Sequence, residues 1–226
     1  MMSPARNIHV DMPYNAVGVT VDEFNRAGVF DRNGNSFAAE LLPEEIVSNG
    51  VSFKIQNDPA IFNFVRADGD TISLPEHKGK TKLFLLATSA DRDRMATFTV
   101  DGKEHTFEVP YFSGFYGQWG WPGESDSYMK HAPIAYVANH KHSAAKGNDA
   151  YSFAYLYRLG IDIDENAREL VLPKDAGIAV FAATISDAPS YEAESVTEMR
   201  TLPPVESKPV EYTSEPVKFW NERSLW

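Results

Sequence analysis

The sequence predicts an all-β protein, an antiparallel β-sandwich or jelly roll, and three observations carry that prediction. Short apolar runs recur along most of the chain and are separated by turn residues, with 14 Gly and 14 Pro spread as punctuation between them. Few segments sustain a helical period. The chain has 226 residues, 43% hydrophobic and 23% charged, enough for one large sandwich with a sizeable core.

The strands can be read in order. Residues 16–20 (AVGVT) follow Pro13 and open the series. Residues 51–55 alternate, with Val51, Phe53 and Ile55 on one face and Ser52 and Lys54 on the other. Residues 71–74 follow the turn Asp68-Gly69-Asp70. Residues 82–88 (KLFLLAT) form a continuous apolar run, the signature of a strand buried on both faces. Residues 96–100 and 105–109 flank Asp101-Gly102-Lys103, a hairpin signal. Residues 134–139, 152–159, 169–172 and 178–185 supply the later strands. Two segments could be helical: residues 37–46, interrupted by Pro43, and residues 164–168, a turn at most.

Composition shifts after Asp187. Residues 188–226 carry Pro189, Pro203, Pro204, Pro209 and Pro216 among scattered Glu, so the chain divides into a sandwich domain, 1–187, and an extended C-terminal tail, 188–226. The tail ends in Phe219, Trp220 and Trp226, too aromatic for a plain linker, and is expected to dock on this domain or on a partner.

The formal net charge of −11, with no Lys/Arg cluster, argues against nucleic-acid binding, which needs cations to displace counterions. Attraction to an anionic membrane surface is disfavoured for the same reason. No stretch approaches the ~18 apolar residues of a membrane span. The absence of Cys removes disulfides and thiolate chemistry. Residues 1–10 lack the apolar core of a signal peptide, which leaves the compartment open and a periplasmic or secreted native context compatible.

A series of ordered blocks is familiar. Tyr14-Asn15 precedes Gly18-Val19-Thr20, then Phe30-Asp31-Arg32-Asn33-Gly34-Asn35-Ser36-Phe37 and Glu40-Leu41-Leu42-Pro43. Gly69-Asp70-Thr71-Ile72-Ser73-Leu74-Pro75 and Leu83-Phe84-Leu85-Leu86-Ala87-Thr88 follow. Last come Ser113-Gly114-Phe115-Tyr116-Gly117-Gln118-Trp119, His140-Lys141-His142 and Gly147-Asn148-Asp149-Ala150-Tyr151. Over roughly residues 11–187 the chain resembles the C-terminal β-sandwich region of bacterial α-mannosidase-like glycoside hydrolases of family 38 and related carbohydrate-associated modules. The resemblance implies a sandwich of galactose-binding or jelly-roll type. In those enzymes the nucleophile and the zinc site lie in an N-terminal α/β region that this chain lacks, so no catalytic residue carries over.

Candidate functional groups fall into four sets. Tyr111, Phe112, Phe115, Tyr116, Trp119, Trp121 and Tyr128 crowd a Gly-rich stretch. Exposed aromatics cover the apolar face of a sugar ring at low entropy cost, and Tyr116, Trp119 and Trp121 are the expected stacking groups, unless these rings fold back to cap the core. His140 and His142, two apart on a strand, share a face. They suit sugar hydroxyls beside Asn148, or a metal ion, although no Glu follows as in a cupin. Asp31, Asn33 and Asn35 around Gly34 resemble a calcium loop, but no Glu stands at its final position and an Asx turn is the preferred reading. Carboxylate pairs for glycoside cleavage would come from Glu40, Glu124, Asp126 and Asp149.

The sequence therefore predicts a non-catalytic carbohydrate-associated module that binds a glycan or supports a glycosidase domain. It implies no cofactor, with a structural Ca²⁺ at the Asp31 loop as the one option. The alternatives are a small jelly-roll enzyme, using a metal on His140 and His142 or a carboxylate pair, and a structural protein that recruits a partner through its tail.

Overall fold

The computed structural model describes residues 5–79, 81–118 and 128–188. Among these residues the chain is all β, with only a 3-10 turn at Asp22–Phe24. In chain order the strands are β1 (Asn7–His9), β2 (Val19–Thr20), β3 (Asn35–Ala38), β4 (Glu45–Ser48), β5 (Val51–Lys54), β6 (Val65–Arg66), β7 (Thr71–Ser73) and β8 (Thr81–Ser89). They continue with β9 (Arg94–Val100), β10 (Lys103–Val109), β11 (Gly117–Gln118), β12 (Tyr128–Met129), β13 (Ile134–Ser143), β14 (Gly147–Ile163), β15 (Glu169–Val171) and β16 (Ile178–Ser186). No helix among the described residues is long and apolar enough to cross a membrane.

The organising element is β8. It lies in the middle of a sheet ordered β1-β16-β8-β14-β13-β3-β2, hydrogen-bonded antiparallel to β16 on one side and β14 on the other. Its apolar run feeds two cores because alternate side chains leave opposite faces. Leu83, Leu85 and Ala87 pack with Phe98 and Leu170 of a second sheet, ordered β10-β9-β15-β7. Phe84 and Leu86 face the other way, towards Phe53 of the β4–β5 hairpin and a cluster of phenylalanines. In that cluster Phe30 meets Phe112 edge-on at 4.8 Å and Phe64 stacks on Phe181 at 5.4 Å, the geometries the ring quadrupole favours. The described residues thus form a curled β-sandwich with several sheets.

The hairpin at Asp101-Gly102 forms as the sequence indicates, joining β9 to β10. Both turn residues have positive φ, 46° and 81°, the backbone hand that matches strand twist in a two-residue loop.

Residues 37–46 depart from the helical option. Phe37 and Ala38 end β3 and pair with β2, a turn follows, and β4 begins at Glu45. Phe37, Leu42 and Ile46 all enter the phenylalanine core, and that burial outweighs the modest helix preference of FAAELL. The later strands also run further than their apolar runs. β13 and β14 extend through polar residues, down to the turn between Ser143 and Gly147. Trp119, Trp121, Glu124, Asp126 and, apart from Ala188, the whole predicted tail lie outside the described residues.

Candidate functional site

The extended β13–β14 hairpin is where the candidate residues meet. His142 pairs with Asn148 and His140 with Ala150 across the ladder, and the two-residue spacing places both imidazoles on one face with centroids 5.8 Å apart. β13 also pairs with β3, and β3 with β2, so Thr20, Ser36 and His142 come together from adjacent strands. The chain then leaves β2 into the 3-10 turn Asp22–Phe24, which closes over the end of the hairpin.

Several contacts fix that turn. The Asp22 N–H donates to Glu40 Oε1 at 2.6 Å, and Asn25 Nδ2 donates to Asn148 Oδ1 at 2.8 Å. Arg26 Nη1 donates to the carbonyls of Ala144 and Ala145 at 3.0 and 2.6 Å. Gly147 makes the approach possible: its φ is 73°, and a Cβ there would stand 3.0 Å from Asn25 Oδ1.

The centre is a polar chain running from the core to solvent. His142 is fully buried. Its Nδ1 lies 2.8 Å from Thr20 Oγ1, which lies 2.6 Å from Ser36 Oγ; both hydroxyls are buried. Its Nε2 lies 3.2 Å from Asp22 Oδ1, and Asn148 Nδ2 donates to the same oxygen at 3.0 Å. An ionised carboxylate can only accept. In the resulting order Nε2–H donates to Asp22, Thr20 donates to Nδ1, and Ser36 donates to Thr20. The Asp22 side chain is 58% exposed, so the chain ends at the surface. Beside it, half-buried His140 places Nδ1 2.8 Å from Asn139 Oδ1. Asp22, His140 and His142 each bring a ligand atom within 4.8 Å of the others. The arrangement can hold a divalent cation or receive the hydroxyls of a polar ligand.

The structure thus gathers His140, His142 and Asn148 and adds Asp22, Asn25, Thr20 and Ser36, which sequence reasoning missed. Asp22 and His142 are 120 positions apart, and no local pattern joins them. Tyr151 was also missed. It is 88% exposed with φ 62°, in the stretch of β14 where pairing with β13 slips register between Ala138 and His140. A bulky side chain in the left-handed region is strained backbone.

The other candidates lie elsewhere. Tyr116 is exposed in the loop after Ser113, and no hydrogen bond or ring contact among the described residues links it to the histidines. Phe112 is buried in the core and Tyr111 packs edge-on against it, so these two aromatics cap the sandwich. Asp31 accepts from the backbone N–H groups of Asn33 and Asn35 at 2.9 and 2.8 Å through one oxygen, and from Asn35 Nδ2 at 2.6 Å through the other. These bonds make the loop an Asx turn.

Asp149 is held by Lys146 at 2.8 Å and Ser152 at 2.9 Å. Burial pushes its carboxyl up, but those bonds outweigh burial and hold it below the usual range, which suits a permanent anion rather than a general acid.

Residues 6–189 match the model of a family described as the AziU2-like beta-sandwich domain. No curated protein matches the chain. The family match supports the sandwich and does not extend to a link with the C-terminal region of α-mannosidases. The chain belongs to the AziU2-like β-sandwich family.

Proposed function

We propose that this AziU2-like β-sandwich domain is a non-catalytic binding module for a polyhydroxylated ligand of the carbohydrate class, taken at the edge where Asp22, His140, His142 and Asn148 meet. The supporting observation is the convergence itself. A carboxylate that accepts, an amide that does both and the half-buried His140 imidazole stand together at a surface, backed by the buried ring of His142, the mixture that vicinal hydroxyls require. Tyr151 follows directly after Ala150, the cross-strand partner of His140, and offers an exposed ring for the apolar face of a sugar. Thr20 and Ser36 are buried behind His142, out of reach of a substrate, which favours binding over nucleophilic catalysis. Association with a glycosidase domain rests on the sequence resemblance alone, and fold likeness does not confer function.

The test is retention of the full chain on a glycan array that includes mannans. Saturable binding to one sugar class, weakened about 10-fold or more by Asp22→Ala, supports the reading; loss of one hydrogen bond to a charged group, about 1.5–3 kcal/mol, corresponds to that change. Retention of no glycan at millimolar ligand overturns it.

A further inference from the structure

We infer that Asp22, His140 and His142 form a binding site for one divalent transition-metal ion, of the class that takes nitrogen and oxygen donors. This rests on the same edge being the functional site, but not on the ligand being a sugar.

Spacing is the first argument. Two neighbouring ligands with bonds of about 2.1 Å to one ion stand roughly 3.0–3.4 Å apart. His142 Nε2 and Asp22 Oδ1 are already 3.2 Å apart. A ring nitrogen of His140 lies within 4.8 Å of both, and this half-buried ring closes the remaining distance by turning about its side-chain bonds.

Orientation is the second. Histidines that bind metal through one ring nitrogen donate the other N–H to a fixed acceptor, which sets the tautomer and aims the lone pair. Both histidines have such a partner on Nδ1: Thr20 Oγ1 at 2.8 Å for His142 and Asn139 Oδ1 at 2.8 Å for His140. Each is left with Nε2 to ligate. Asp22 is oriented in turn by Asn148 Nδ2 at 3.0 Å, and its backbone by Glu40. All three donors therefore have supporting groups outside the triad.

Without an ion, the Nε2 proton of His142 sits between the ring and Asp22. The ion takes that place: the ring's one proton leaves Nε2 and is regained from solvent at Nδ1, which then donates to Thr20, while the Thr20 hydroxyl turns to donate to Ser36 and Ser36 turns its own proton away. Two imidazoles and one carboxylate suit Zn(II), Fe(II), Mn(II), Co(II) or Ni(II) better than Ca²⁺ or Mg²⁺, which prefer oxygen alone. Three protein donors leave positions on the ion open and Asp22 is largely exposed, so water or a ligand hydroxyl can enter from the Asp22 side.

The experiment is calorimetric titration of the chelator-treated full chain with Zn(II), followed in parallel by NMR of the imidazole nitrogens. One ion per chain, with the Nε2 signals of His140 and His142 moving together, is the expected result. His142 is buried and its removal can unfold the chain, so the decisive variants are His140→Ala and Asp22→Asn at the surface. Each should weaken Zn(II) at least 10-fold with the fold intact by circular dichroism. Absence of stoichiometric binding, or binding unchanged in both variants and traced to His9, His77, His105 or His131, overturns the inference. Glycan retention is measured on the metal-loaded and chelated chain. Retention without metal binding defeats the metal site and leaves the glycan reading standing; metal binding without retention does the reverse.

Discussion

His142 Nε2 lies 3.2 Å from Asp22 Oδ1, joining a fully buried ring to a largely exposed carboxylate. The order Ser36, Thr20, His142, Asp22 carries polarity outward from the phenylalanine core, and each member satisfies the next. Buried polar groups are stabilising only while every partner is present.

Thr20→Val keeps the shape of the side chain and removes the hydroxyl between Ser36 and His142. Two buried groups lose their partner, and the expected cost is about 1–3 kcal/mol by urea denaturation. Adding Ser36→Ala should cost less than the sum of the single changes, because it removes one orphan. Full additivity would show that the hydroxyls do not act as a chain.

Gly147→Ala should destabilise by about 1–2 kcal/mol, since the backbone is left-handed there and a Cβ crowds Asn25. The change should also loosen the 3-10 turn, read as faster amide exchange at Asn25 and Arg26. Normal protection at those amides would mean that the turn is held without the close approach.

Tyr151 separates stability from binding. Replacing this exposed, left-handed residue by Gly relieves backbone strain and removes a ring with no buried contact to lose. The melting temperature should hold or rise, while glycan retention should fall about 10-fold. A lower melting temperature with unchanged retention would assign the ring a structural role.

Alkaline pH should unfold the domain with a defined sign. Burial pushes the phenols of Tyr14, Tyr111 and Tyr136 up to about 12, from an ordinary value of 10.0. Between those values the folded chain holds protons that the unfolded chain releases. Stability from these groups is therefore full below pH 10 and lost as pH rises towards about 12. The part of the tyrosinate absorbance at 295 nm that belongs to these three residues should appear only together with loss of the β signal. Ionisation of every tyrosine near pH 10 without unfolding would contradict their burial.

Local chemistry made much of the fold legible. The apolar run of β8 and the Asp101-Gly102 turn carry their outcome in a few adjacent residues. Residues 37–46 do not, because the core that claims Phe37, Leu42 and Ile46 is assembled from distant strands. The site divides in the same way. His140, His142 and Asn148 were visible from spacing along one hairpin. Thr20 and Asp22 were not, since only the pairing of β2 with β3 and of β3 with β13 brings them to the histidines. Tyr151 was hidden by the register slip in β14, which no residue pattern announces.

The most direct test of the binding edge is an amide chemical-shift map of the labelled chain titrated with the glycan that an array retains most strongly. The account predicts shifts concentrated at Asp22, Asn25, His140, His142, Asn148 and Tyr151, abolished by the Asp22→Ala and Tyr151→Ala pair. Shifts centred on the loop around Tyr116, or none at saturating glycan, would contradict it.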